Sequence, residues 1–534
     1  MTIQHTSGDF GVQLPAASAA PKHDQLHPLI SAETRDGQSH KSALAGIKRA
    51  EVVFVLPEKG GKQGGYSIFS LSENPPADGD KPFVLNIVRC EQDDLADDLA
   101  GFVLSRDGSP PAHLSSPRDV HVVVSTGSGL RRAEAFYQEI LRPLLAAAGL
   151  QPSGSGDAGG GYRVTVTKNA STIREFAREL GADPRAGEEE KTTAAAPLVV
   201  LLSGDGGVVD LLNGLDHAAH PPPPTPTIAL LPLGTGNALF HSLHKPRYPA
   251  AADGPGPSPL VLGLRTLFSP AAVAAPLPTF KASFSPGATL LSGPDFEDQQ
   301  RENQNQNQNP AAAPVPVSHL VGAIVASYGF HASLVWESDT PAYRAHGDRR
   351  FGMAAAELLK VAHAYDATVE VVRPPRSRPQ SQGGGDDDDD NDGLPSGLVA
   401  PPTGRGGSGS GSGRFGYVLA TLVSNLERTF TVSPAGRPLD GRLRLVYFGD
   451  VGGDRTMQIM AAAYRGGAHV AMPDVGYAEV AGVRVTTAED DPRWRKVCVD
   501  GCVVELEKGG WMRVATEEGA PPRLRVLVDA GIHG

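Results

Sequence analysis

The run LVVLLSGDGGVVDLLNGL at 198–215 constrains the fold more than any other stretch of the chain. An apolar run ends at Leu202, and Ser203-Gly204-Asp205-Gly206-Gly207 turns sharply. Val208, Val209, Leu211, Leu212 and Leu215 then follow at helical spacing. A short, continuously apolar run before a helix reads as a strand of a parallel sheet, buried on both faces. Glycines let backbone N–H groups approach an anion closely, and a helix N-terminus adds a favourable dipole of ~0.3–1 kcal/mol. Asp205 sits awkwardly in such a turn, because a carboxylate repels phosphate. The conflict disappears if the carboxylate serves a metal or an incoming hydroxyl, both of which phosphoryl transfer uses. The plainer alternative is a glycine turn with a capping aspartate.

The same texture recurs on both sides. HVVV (121–124), RVTVT (163–167) and IALLP (228–232) are strand-like. AEAFYQEILRPLLAAAG (133–149) and STIREFAREL (171–180) have helical spacing and end at Gly149 and Gly181. Alternating strands and helices imply βαβ units and a parallel sheet. Gly234-Thr235-Gly236-Asn237 follows the strand at 228–232, and Ser125-Thr126-Gly127-Ser128-Gly129 follows the one at 121–124. In a parallel sheet such turns share the carboxyl edge, where ligands bind. None has the Gly-Lys-Ser/Thr of a Walker A loop or the full dinucleotide pattern. After Gly416, short runs such as YVLATLVS, RLRLVYFG, VRVTT and LRVLVD alternate with turn residues, which predicts an antiparallel β-sandwich or barrel-like domain.

Composition sets the boundaries. Glycine (63) and proline (46) are frequent enough in 534 residues to predict solvated inserts. The expected organisation is a disordered tail at 1–48, a small β-rich module at 50–106 and an α/β domain at 118–245. A low-complexity insert at 249–318 and a β-sandwich domain at 319–532, itself interrupted at 374–414, complete it. Asp386–Asp390 with Asp392 supply half of the formal net charge of −12, so that charge says little about an active surface. An acidic chain without a long basic tract argues against nucleic acid as the main partner. Three cysteines are too few for a disulfide framework and suggest a reducing compartment. No signal peptide and no apolar run of about 18 residues is evident. Cys498 and Cys502 lack zinc-site company, and His241 and His244 read as surface or packing residues.

SGDGGVVDLLNGL followed by LPLGTGNAL resembles the diacylglycerol kinase-type catalytic domain, in its sphingosine kinase and ceramide kinase branch. VVVSTGSGLRRAEAFYQEILRPLLAAAG, ASYGFHASLVWESDTPAYRAHGDRRFG (326–352) and RWRKVCVDGCVVEL (493–506) continue the resemblance in order. It implies an α/β nucleotide-binding domain, a β-sandwich lipid-binding domain and a cleft between them. It also implies ATP and Mg²⁺ as cofactors, a lipid alcohol as substrate, and a cytoplasmic protein that docks transiently on membranes. By that likeness Asp205 is the base toward the lipid hydroxyl. Ser203, Gly204, Gly206, Gly234, Thr235, Gly236 and Asn237 match phosphate and nucleotide loops, as do Ser125 and Gly127. Thr167 matches a nucleotide-contacting threonine, Arg344 and Arg350 match phosphate-neutralising arginines, and Asp500 matches a carboxylate near Mg²⁺. For Asp500-Gly501 a plain hairpin turn is the alternative.

Several positions depart from the family pattern. Ser125 stands where asparagine is usual, Cys502 replaces a glutamate and Asp210 replaces another. Ser333 and Val335 occupy substrate-binding positions that are acidic in sphingosine kinases. Their loss weakens the case for a cationic amino alcohol and favours ceramide or diacylglycerol. A kinase for soluble substrates, related to NAD kinases, and a catalytically weak lipid- or nucleotide-binding protein are the other readings.

Overall fold

Four apolar runs form the heart of a seven-stranded sheet in the computed structural model. Val120–Val124 pairs in parallel with Gly161–Val166 on one side and Leu198–Ser203 on the other. Thr227–Pro232 follows, with Leu202 opposite Leu231. Every residue of Val120–Val124 and Leu198–Ser203 is buried, as a strand covered on both faces requires. Because these strands run the same way, the turns after Val124, Ser203 and Pro232 emerge at one edge.

The structure describes residues 47–58, 65–73, 81–91, 95–105, 107–115, 119–153, 161–181, 196–215, 224–249, 256–292, 315–344, 346, 349–374, 396–402, 412–517 and 519–532. Residues 1–46, most of the expected tail, lie outside them, as do 375–395 and 403–411 of the expected insert and Asp386–Asp390 with it.

Helices cover the sheet. Ala133–Ala147 is helical throughout and widens to π geometry over Tyr137–Leu141, next to Pro143, which has no N–H to offer the preceding turn. Thr172–Gly181 packs beside Asp205–Gly214, and Asn213 locks the latter to the second domain. Its amide donates to Val321 O at 2.9 Å, and its oxygen accepts Val321 N–H at 2.9 Å.

The second domain is one continuous antiparallel sheet of fourteen strands. Tyr365–Val372 pairs with Ser412–Thr421 on one side and Gly482–Thr487 on the other, and its residues alternate between buried and exposed. The fold is therefore an α/β domain joined to a β domain. Among the described residues no helix is long and apolar enough to cross a membrane.

Two segments differ from the sequence expectation, and a third, the N-terminal module, joins the α/β core. The region 249–318 is not wholly insert. Ser258 caps a helix at Pro259–Phe268 by accepting Val261 N–H at 3.1 Å, and strands follow at Ala272–Pro276 and Phe280–Phe284. Proline and alanine hid these elements, although Leu260, Val261, Leu264, Leu267 and Phe268 form a buried face. The strand Arg525–Asp529 leaves the β domain and completes the α/β sheet between Thr227–Pro232 and Ala272–Pro276. Its partners are remote in sequence, so its pattern could not reveal them. The module at 50–106 forms a three-stranded sheet, Val52–Pro57, Gly65–Glu73 and Phe83–Glu91, that extends the α/β core. Phe54 packs on Phe268 (4.9 Å) and Phe83 on Phe136 (5.0 Å). The Arg265 guanidinium ties it down by donating to Val52 O and Arg49 O at 2.7 and 2.6 Å.

Candidate active site

Three glycine turns meet at the carboxyl edge, and the glycines fall into two classes. Gly129, Gly204 and Gly234 are required by the protein itself. A Cβ on Gly204 would lie 2.9 Å from Gly234 Cα, and one on Gly234 would lie 2.8 Å from Asn237 Oδ1. Gly129 has φ +50 and faces Leu233 O and Gly234. Gly127 and Gly206 are exposed, and a Cβ on either would meet nothing within 4 Å. The fold does not demand glycine there, but a ligand approaching the backbone would.

The Gly234–Asn237 turn is held by its own last residue. Asn237 adopts the left-handed conformation (φ 52) that asparagine tolerates. Its side chain accepts Gly234 N–H at 3.0 Å and donates to Gly234 O at 2.9 Å. The next helix, Ala238–His244, points its first N–H groups at Asp205. Ala238 N–H donates to one carboxylate oxygen at 2.7 Å and Leu239 N–H to the other at 3.1 Å. Burial pushes the Asp205 carboxyl above its ordinary value, and these two donors only partly offset it. A carboxylate held at its back edge, with raised proton affinity, suits acceptance of a hydroxyl proton.

The first turn is stitched to its neighbours. Thr167 Oγ1 accepts Thr126 N–H at 2.9 Å, and Thr126 Oγ1 donates to Thr167 O at 3.0 Å. Ser128 Oγ donates to Ser125 Oγ at 2.7 Å. Ser203 Oγ donates to Gly204 O at 3.0 Å, and Thr235 is exposed. Asp210 pairs with the buried Arg174 at 3.8 Å, so this departure from the family pattern serves packing.

Asp500 and Gly501 form a two-residue hairpin turn, both with positive φ, between Lys496–Val499 and Cys502–Glu505. The turn also places the Asp500 carboxylate on three successive backbone donors. Ala323 N–H, Ile324 N–H and Val325 N–H donate to it at 2.7, 3.1 and 2.6 Å. Burial, reinforced by the nearby Asp205 charge, pushes Asp500 up to about 7. Both oxygens are engaged, and among the described residues no group of three His, Cys, Asp or Glu could hold a metal ion. The donor set therefore does not fit a protein-held Mg²⁺, and Asp500 serves here as a clamp on the segment 323–325.

Of the remaining expected residues, Arg350 and Ser333 make their contacts outside the turns. Arg350 pairs with Asp339 at 3.1 Å and lies 4.8 Å over the Phe351 ring. Arg344 ends the helix Pro341–Arg344, and its side chain lies outside the described residues. Ser333 is buried and accepts the Tyr365 hydroxyl at 2.8 Å, and Val335 is half-buried on the same helix, Phe330–Ser338. Glu337 accepts two bonds from Arg493 at 3.1 and 2.9 Å. Glu489 meets His363 Nε2 at 2.9 Å and accepts Asp366 N–H at 2.8 Å. His241 and His244 are buried, and desolvation pushes both down to about 4, in keeping with packing roles.

One contact has no sequence signal. Ser242 Oγ donates to Asn425 O and accepts Asn425 N–H, both at 3.0 Å. This joins the helix that holds Asp205 to a loop of the β domain. Asn425 Nδ2 in turn donates to Glu427 O and Thr431 Oγ1 at 3.2 Å, fixing that loop.

Residues 119–254 match the family model described as the diacylglycerol kinase catalytic domain, which spans all three turns and Asp205. This segment is similar to the diacylglycerol kinase catalytic domain. Three solved structures of proteins designated diacylglycerol kinases, all from Bacillus anthracis str. Sterne, resemble the chain. They are 12%, 10% and 12% identical, with TM-scores of 0.44, 0.39 and 0.43. Each alignment covers 78% of this chain, and 96%, 98% and 98% of the respective structures. No curated protein matches the chain.

Proposed function

We propose that this protein is an ATP-dependent lipid kinase that phosphorylates the primary hydroxyl of a neutral lipid alcohol, ceramide or a diacylglycerol. The catalytic domain supports a lipid kinase in general. The observation that carries the mechanism is Asp205, held from behind by Ala238 and Leu239 at the junction of the glycine turns. The open backbone at Gly127 and Gly206 receives the nucleotide phosphates, and Ser125, Thr167, Ser203, Thr235 and Asn237 shape the loops around them. The lipid hydroxyl oxygen attacks the γ-phosphorus and the bond to the β-phosphate oxygen breaks, releasing ADP. The hydroxyl proton passes to Asp205. Arg350, with Arg344, bears phosphate charge after exchanging its Asp339 contact for the nucleotide. No step is assigned to Mg²⁺.

The acids near Ser333 support a neutral head group. Glu337 is paired with Arg493 and Glu489 with His363, so neither is left to recognise an ammonium. The protein acts from the cytoplasm on lipid it meets at membranes. The departures at Ser125 and Cys502 favour a second reading, a weak or inactive lipid- and nucleotide-binding protein.

The test is transfer from labelled ATP to ceramide, diacylglycerol, monoacylglycerol and sphingosine in mixed micelles, with Asp205→Asn as control. One neutral lipid labelled by the wild type and not by the variant supports the proposal. Preferred labelling of sphingosine overturns the head-group assignment. ATP binding without any transfer supports the second reading.

A further inference from the structure

A row of side chains crosses five strands on the outer face of the β domain. His319 stands opposite Ser283, Ser283 opposite Arg513, Arg513 opposite Arg484, and Arg484 opposite Glu370. The alternate residues Ala282, Val514, Val485 and Val369 point into the core. Two arginines facing each other across a strand pair repel, and such like-charge pairs are destabilising. Arg484 is partly compensated by Glu370 at 3.8 Å and by the Trp511 ring at 4.7 Å. Arg513 is exposed and, among the described residues, has no carboxylate partner. Lys281 is exposed on the strand next to Arg513, one pair along. Arg523 is nearby but is held by twin bonds to Glu517, both 2.9 Å. His319 reports the local field: burial, Lys281 and Arg523 together push its imidazole below the ordinary value.

The facing Arg484 and Arg513 cost the fold stability, and an anion laid on the face would remove the repulsion. A sheet face presents charge over a broad area rather than a pocket, which suits an extended anionic surface. Trp511 is half-buried beside the arginines, and Leu398, 56% exposed, ends the row opposite Glu370. Indole rings beside cations suit a lipid headgroup layer.

We propose that Lys281, Arg484 and Arg513, with Trp511, form a docking face for an anionic lipid bilayer. The choice of a bilayer rests on the lipid-kinase reading. It also has a consequence for that reaction. Phosphorylating a neutral lipid makes an acidic one, so turnover strengthens the attraction of the face for the surface on which it works.

The test is sedimentation of the full chain with phosphatidylcholine vesicles, with and without phosphatidic acid, in the absence of ATP and of any acceptor lipid. Binding is expected only with the acidic lipid. It should fall away at high salt, because the screening length shrinks from about 10 Å at 0.1 M to about 3 Å at 1 M. Each basic side chain near an anionic leaflet strengthens adsorption roughly fivefold, so Lys281→Gln/Arg484→Gln/Arg513→Gln should weaken it on the order of 100-fold. The same variant should melt no lower than wild type, since it relieves the cross-strand repulsion. Arg142→Gln/Arg178→Gln, on exposed helical positions of the α/β domain, should bind vesicles as wild type does. Three results overturn the proposal: a triple variant that binds like wild type, equal binding to neutral vesicles, or binding to soluble polyglutamate with none to vesicles. If the micelle assay shows no transfer while this pattern holds, the kinase reading fails alone. If transfer is intact and the triple variant still binds, the docking face fails alone.

Discussion

Replacing Gly234 and Gly206 separately by alanine distinguishes a glycine kept for packing from one kept for a ligand. In Gly234→Ala the new methyl lands inside van der Waals contact of Gly204 Cα and 2.8 Å from Asn237 Oδ1. Carbon atoms prefer about 3.5–4.0 Å, so the two turns must separate by most of an ångström or more. The Asn237 side chain then loses its bonds to Gly234 N–H and O. Overpacking at about 1–3 kcal/mol and two hydrogen bonds at about 1 kcal/mol each give a destabilisation of roughly 3–5 kcal/mol. In Gly206→Ala the methyl meets no protein atom within 4 Å. The site lies within the helix Asp205–Gly214, so alanine there stabilises by up to ~1 kcal/mol. Nucleotide affinity should nevertheless fall at least tenfold. Denaturant unfolding gives the stabilities, and titration with a fluorescent ATP analogue gives the affinities. A Gly234→Ala protein as stable as wild type would refute the packing argument. A Gly206→Ala protein that binds nucleotide normally would refute the ligand argument.

Three further outcomes are expected. Asp500, pushed up from 3.8 to about 7, binds its proton more tightly in the folded chain than in the unfolded one. Its contribution to stability is therefore complete below 3.8 and is lost as pH rises through 7, and thermal melts should show Asp500→Asn flattening that slope. Ser242→Ala removes both bonds to Asn425 and loosens the helix that holds Asp205, so kcat should drop roughly tenfold with KM for ATP nearly unchanged, by steady-state kinetics. Val335→Asp restores an acid on the half-buried side of its helix, and competition assays should show the ratio of sphingosine to ceramide phosphorylation rising.

The glycine turns were legible in the sequence because each follows a strand of four or more apolar residues and precedes a helix, which is a local pattern. Asp205 stood out for the same reason, as a carboxylate in a turn otherwise suited to anions. The non-local features were not legible. The strand at Arg525–Asp529 is buried at three successive positions, and only its sequence-remote partners, one parallel and one antiparallel, place it in the α/β sheet. The helix Pro259–Phe268 was masked by flanking prolines and alanines. Asn425 and Ser242 carry no motif, because their bond depends on how two domains meet. Of the two sequence readings of Asp500, the backbone bears out the hairpin turn, whereas the carboxylate expected near Mg²⁺ is engaged by three backbone N–H groups.

The strand Arg525–Asp529 also sets a schedule for synthesis. Its neighbour Thr227–Pro232 leaves the ribosome first, and the whole β domain must be made before Arg525 N–H can reach Pro226 O. At about 5–20 residues per second, that interval is roughly 15–60 s. Throughout it, one side of an apolar strand next to the catalytic turn has unpaired N–H and C=O groups, the kind of edge that recruits other chains. The nascent chain thus carries a complete set of glycine turns on an unfinished sheet, and that sheet cannot be finished before the arrival of a strand encoded far from any of them.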